Sequence, residues 1–310
     1  MRTETLSSLG YLPVATASLC PASVMGCDLF LQRAGATIVE LYRAHDYPLD
    51  QTDLDRLHED GIDQLYIRAD DAEAYRAYLC EHVLHEEEMP ATLRVQALRE
   101  VTRVAFHSAL GSNDCDQMVS VALNFGRDVA GVVLEQSVGF RGLFATLEHD
   151  YYTFTHVCNV SMYCTMLACR LGTCDEAALA ELAQGALLHD IGKRHIPQQI
   201  LNKPGKLTEE EWELVREHPA SGFRELSARG DLSWPQLMMV YQHHERFDGT
   251  GYPAAITADE IHPWARICAV ADIFDALTCQ RPYRRAMPVA GVCEYLKKHT
   301  SDWYDAEIVN

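Results

Sequence analysis

His189-Asp190-Ile191-Gly192-Lys193 follows directly on a segment whose apolar residues are Leu179, Leu182, Ala183, Ala186 and Leu187. That spacing predicts a helix over residues 175–189 with one buried stripe, and it places a histidine and an aspartate together at the helix end. Neighbouring helical residues point about 100° apart. Two adjacent donor side chains can therefore reach two ions, or two sides of one cluster. The same geometry applies to His243-His244, at the end of a helix that Pro235 opens. Asp272 stands in Ala269-Val270-Ala271-Asp272-Ile273, an otherwise apolar face of a helix opened by Pro263. A buried carboxylate there is costly unless it is paired or metal-bound. Any one of these residues alone reads as a core histidine or a capped aspartate. Together with His156 and His218 they form the imidazole and carboxylate set that suits iron, manganese, zinc or nickel. A carboxylate with two oxygens can bridge two ions, and a two-metal site can activate water for attack on phosphorus.

Outward from these motifs, the second half of the chain is nearly all helix by pattern. Thr208 with Glu211 three residues later is a capping box. Towards the N-terminus, residues 92–110 and 114–135 read as helices, the first closed by Gly111, with Ser112, Asn113 and Asp114 as turn and cap residues. Residues 1–25 read as irregular. Residues 27–32 and 36–43 read as strands joined through Ala34-Gly35. Asp50 or Thr52 caps a helix running to about residue 60, which Gly61 ends. Residues 62–68 read as a further strand and 70–83 as a helix. The expected organisation is a small α/β module over 1–85, a helical connector over 86–140 and a helical domain over 141–310.

The chain has 310 residues, 48% hydrophobic and 23% charged, ordinary for a globular protein with a core. Its 26 lysines and arginines stand against 45 aspartates and glutamates, for a formal net charge of -19. This argues against binding polymeric nucleic acid through a basic surface. It leaves room for a small anion met by local metal charge. The 11 cysteines include no CxxC pair and read as reduced thiols. No apolar run nears the ~20 residues of a membrane helix. The N-terminus carries Arg2 and Glu4 but no signal pattern, so a cytoplasmic protein is expected.

Several separate motifs, in order and spacing, resemble the HD-GYP domain. They are His189-Asp190-Ile191-Gly192-Lys193, then Ile196-Pro197 and Lys203-Pro204-Gly205, and His218-Pro219 with Gly222. Next comes His243-His244-Glu245-Arg246 with Asp248-Gly249-Thr250-Gly251-Tyr252-Pro253, and last Asp272 with Phe274-Asp275-Ala276-Leu277-Thr278 and Arg281-Pro282-Tyr283-Arg284. The likeness covers roughly residues 140–310. It implies a mainly α fold, with a C-terminal all-helical HD-type bundle beside the small N-terminal α/β module. It also implies a metal-dependent phosphohydrolase that cleaves cyclic di-GMP to pGpG, the choice between pGpG and GMP as end product staying open.

By the same resemblance, His156, His189, Asp190 and Asp272 would hold one metal. His218, His243 and His244 would hold a second, with Asp190 bridging. Lys193 would sit beside the scissile phosphate, neutralising charge that grows in the transition state. Tyr252 and Gly251 would shape the substrate side, and Arg281 and Arg284 would contact phosphate or guanine. Iron or manganese is the expected pair of ions. Some family members use a glutamate four residues before the first histidine ligand for a third metal. That position is Tyr152 here, with Glu148 a turn further away, so two metals are favoured. The partners implied are cyclic di-GMP, a diguanylate cyclase (GGDEF) domain and a second copy of the chain. Two other readings stay open: a hydrolase of another cyclic dinucleotide, and a binding module without turnover. The second is expected to have lost metal ligands, whereas this chain carries the full set.

Overall fold

Pro13 interrupts the N-terminal pattern, yet a strand forms around it. A proline cannot donate to a sheet ladder and is confined to edges. The strand β1 (Tyr11–Ala15) is an edge, and the sheet runs β1-β4-β2-β3 with β2 at Leu29–Gln32, β3 at Val39–Arg43 and β4 at Gln64–Arg68. All neighbours are antiparallel, with Pro13 opposite Tyr66 and Val14 opposite Leu65. This corrects the irregular reading over Tyr11–Ala15.

The computed structural model describes residues 10–32, 39–84, 86, 89–112, 114–134, 153–203, 205–279 and 285–310. The Ala34-Gly35 connection expected between β2 and β3 lies outside them. The chain divides into two compact units, Met1–Ser108 and Ala109–Asn310.

In the first unit the sheet turns Val14, Leu65 and Ile67 inward, all fully buried. Against them pack α1 (Gln51–Glu59) and α2 (Ala72–Leu79), bringing Leu57, Tyr75 and Leu79. Asp50 caps α1 through the Asp53 amide at 2.9 Å, and Asp53 returns the bond to the Asp50 amide. The helix α2 continues into a π turn over Cys80–Leu84. The helix α3 (Ala91–Ser112) runs through Gly111 rather than ending at it.

The second unit is helical. Its elements are α4 (Cys115–Leu134), α5 (Thr153–Arg170), α6 (Glu176–Leu188), α7 (Gln198–Leu201), α8 (Glu209–Arg216), α9 (His218–Ser227), α10 (Trp234–Gln242), α11 (Pro263–Thr278), α12 (Val289–Lys298) and α13 (Ala306–Val309). The centre is α6, which packs against α4, α5 and α10. Its Leu179, Leu182, Ala183 and Ala186 are fully buried, each leucine contributing roughly 1.5–3 kcal/mol. The helix α11 packs on α5 and α10, and the turn 191–195 packs on α9. A Cβ on Gly192 would run into the His218 carbonyl and the Gly222 amide. Only glycine lets that turn lie on α9, and the contact carries His218 up to Asp190. Among the described residues no helix is long and apolar enough to cross a membrane, and no disulfide links the cysteines.

Candidate metal centre

The last four carbonyls of a helix have no partner within it. Three of the histidines exploit this. His189 follows α6 and its Nδ1 lies 2.7 Å from the Ala186 carbonyl. His243 follows α10 and reaches the Val240 carbonyl at 2.9 Å. His218 follows α8 and reaches the Val215 carbonyl at 2.7 Å. A carbonyl only accepts, so in each ring Nδ1 carries a proton and donates it. Nε2 is then the atom left to face inward.

His156 on α5 and Asp272 on α11 complete the cluster. The donors form two groups, each with its ligand-type atoms within 4.8 Å of one another: His156, His189 and Asp272, and Asp190, His218, His243 and His244. Asp190 faces both. Its Oδ2 lies 3.4 Å from His189 Nε2 and 3.7 Å from His156 Nε2, while its Oδ1 lies 3.2 Å from His218 Nε2 and 3.7 Å from His243 Nε2. Lys193 donates to Asp190 Oδ2 at 2.5 Å. His244 presents Nδ1 to Asp272 Oδ2 at 3.9 Å.

The electrostatics differ between the two groups. Burial disfavours charge on His156, but the carboxylates of Asp272 and Asp275 outweigh it and push the ring up to about 9. Burial is likewise outweighed at His189, chiefly by Asp190, and that ring also rises to about 9. His243 goes the other way. Burial and the neighbouring imidazoles exceed the pull of Asp190 and push it down to about 4. His244 is driven well down by burial and by His243 and His218. Burial opposes charge on both carboxylates. Lys193 and His189 nevertheless hold Asp190, and His156 holds Asp272, well below the usual carboxylate range.

These donors fit divalent cations. Among the described residues, His189 Nε2 and Asp190 Oδ1 are buried without a hydrogen-bond partner. His218 Nε2 and His243 Nε2 lie 3.2 Å apart. Both protons are committed to Nδ1, so two lone pairs face each other, and a cation in front of them removes the repulsion. Buried unpaired polar atoms are otherwise costly.

The cluster opens towards His244, Asp272 and Lys193, whose side chains keep 25%, 15% and 26% of their exposure. Tyr252 borders this opening, stacked on His244 with ring centroids 4.8 Å apart. The turn carrying it is fixed to the segment after His244. The Tyr252 amide donates to the His244 carbonyl at 3.2 Å. Gly251 lies so close to Glu245 and Arg246 that a Cβ would strike their backbone. The Glu245 carboxylate accepts from the amides of Ala254, Ala255 and Ile256 at 2.6, 3.2 and 3.3 Å.

Sequence reasoning singles out the residues of both groups, and the fold brings all of them together with Lys193 and Tyr252. Arg281 and Arg284, and the Tyr152 and Glu148 positions weighed for a third metal, lie outside the described residues. Sequence reasoning assigns no role to Glu245, Asn159 or Asp275. Asp275 is a carboxylate one turn after Asp272 on an apolar helix, so the cost of burying charge could have found it too.

A family model of the HD domain matches residues 147–308. The chain belongs to the HD domain family. Within it, the segment Gly249–Pro253 and the motifs around it resemble those of HD-GYP domains. The cyclic di-GMP phosphodiesterase PA4108 of Pseudomonas aeruginosa is 32% identical over 258 residues, spanning 77% of this chain and 62% of that protein. The 3'3'-cGAMP-specific phosphodiesterase 3 of Vibrio cholerae is 40% identical over 156 residues, spanning 50% of this chain and 34% of that protein. The chain thus spans less than two thirds of the length of either relative. The solved structure of Bd1817, an HDG"Y"P protein from Bdellovibrio bacteriovorus, shares the fold with a TM-score of 0.66 at 19% identity, over 96% of this chain and 97% of that one.

Proposed function

We propose that this chain hydrolyses a phosphodiester bond of cyclic di-GMP, giving pGpG and, after a second cut, GMP. The observation that carries the reading is the pair of donor groups facing the two oxygens of Asp190, with Lys193 and Tyr252 at the open side. His156, His189, Asp190 and Asp272 would hold one divalent ion, and His218, His243, His244 and Asp190 a second, iron or manganese. Such ions supply Lewis acidity to a phosphodiester and acidify water.

The remaining work falls to the chain. The carbonyl tethers of His189, His218 and His243 keep three Nε2 atoms aimed without reorganisation, which is the preorganisation that electrostatic catalysis requires. Lys193 puts an ammonium beside Asp190, where it offsets the charge that builds on the phosphoryl oxygens. Tyr252, held between His244 and the turn fixed by Glu245, offers a flat face at the mouth for a guanine base. A GGDEF-domain partner docking on the turn 249–253, and a second copy of the chain, belong to the same proposal.

Relatives named as 3'3'-cGAMP-specific phosphodiesterases favour a mixed guanine–adenine cyclic dinucleotide as the second reading. Protein purified without oxygen, supplied with Fe²⁺ or Mn²⁺ and offered each dinucleotide separately, tests both. Chromatography is expected to show pGpG from cyclic di-GMP. Cleavage of 3'3'-cGAMP alone selects the second reading, and no product with any metal overturns both.

A further inference from the structure

Of the imidazoles whose Nδ1 points away from the cluster, His189, His218 and His243 give that proton to a neutral carbonyl. His156 gives it to a carboxylate, Asp275 Oδ2, at 2.7 Å. The same helix therefore meets both nitrogens of one ring, since Asp272 Oδ1 lies 3.1 Å from His156 Nε2. Asp275 is fully buried. Its second oxygen accepts from Asn159 Nδ2 at 2.8 Å, and Asn159, also fully buried, sits one turn after His156 on α5. The result is a closed relay from Asn159 to Asp275 to His156 that ties α5 to α11 behind the cluster. A carboxylate behind a ligating histidine fixes its orientation and strengthens it as a donor.

We propose that Asp275, held by Asn159, is a positioning residue for one half of the centre only, the half built from His156, His189 and Asp272. In the other half, His218 and His243 are each aimed by a backbone carbonyl, to Val215 and to Val240. The inference rests on the metal-dependent reading of the site.

The experiment is equilibrium dialysis of the whole chain against Mn²⁺, with metal per chain determined by mass spectrometry and folding checked by circular dichroism. Wild-type protein is expected to bind two ions. Asp275→Asn is expected to bind one ion as wild type does and the other about ten- to a hundredfold more weakly. Should that variant fail to fold, Asn159→Ala carries the test, because it leaves the carboxylate in place but unheld and is expected to weaken the same single site. Two ions bound with wild-type affinities by the variant overturn the inference and leave the proposed function standing. Equal weakening of both ions also overturns it, since that marks a general loosening. Wild-type protein that binds no metal overturns the metal-dependent reading, and this inference with it.

Discussion

Lowering the pH from 9 to 7 should weaken metal binding at one half of the cluster and leave the other nearly unchanged. His156 and His189 are pushed up to about 9, so without metal both are charged at pH 7. An ion at that half must displace a proton from each Nε2 it uses. At 9 minus 7, or about two pH units below the pKa, each displaced proton costs roughly a hundredfold in affinity, ~2.7 kcal/mol. His243, pushed down to about 4, and His244, driven lower still, have no such proton to lose. The first ion is therefore expected at the His218, His243 and His244 half, with little proton release. The second should release one to two protons at pH 7. Calorimetry of Mn²⁺ binding in two buffers of different ionisation enthalpy counts these protons, and in His243→Ala the low-proton event should vanish. A histidine raised above its unfolded value of 6.5 stabilises the metal-free fold fully below pH 6.5, and that contribution is lost as pH rises through about 9. Metal-free protein should thus melt lower at pH 9 than at pH 6.5. Equal proton release by the two ions, or more from the first, would refute the reasoning.

Other substitutions follow from the same geometry. Gly192→Ala should separate the turn 191–195 from α9, cost about 1–3 kcal/mol by overpacking and lower metal content, read by melting and elemental analysis. Glu245→Ala leaves the amides of 254–256 without their acceptor and should cost about 1–3 kcal/mol. With Tyr252 loosened, it should also raise KM for the dinucleotide more than it lowers kcat. Lys193→Ala should lower kcat by about a hundredfold while both ions remain bound.

Much of this was legible because several signals are local. Thr208 with Glu211 is a capping box that the sequence states outright and that appears at its helix start, and of the two candidates Asp50 and Thr52 it is Asp50 that caps α1. His189-Asp190 and His243-His244 announce themselves as adjacent donors at helix ends. What was not legible depends on placement across the fold. Pro13 speaks against a strand unless the strand is known to be an edge, and only the order of the sheet reveals that. Gly111 speaks for a helix end, but α3 runs through it. Asn159 and Asp275 are 116 positions apart in the chain, and no spacing rule links them. Glu245 reads as one more acidic residue until the turn folds back and presents its amides.

The tethers on His189, His218 and His243 each lie within a span of three residues. Each ring is thus oriented by its own stretch of chain rather than by a distant partner, like a set of pre-cut teeth around a keyhole. Swapping one divalent ion for another would disturb none of these tethers, so the choice of ion at such a socket would fall to supply and ion chemistry rather than to refolding.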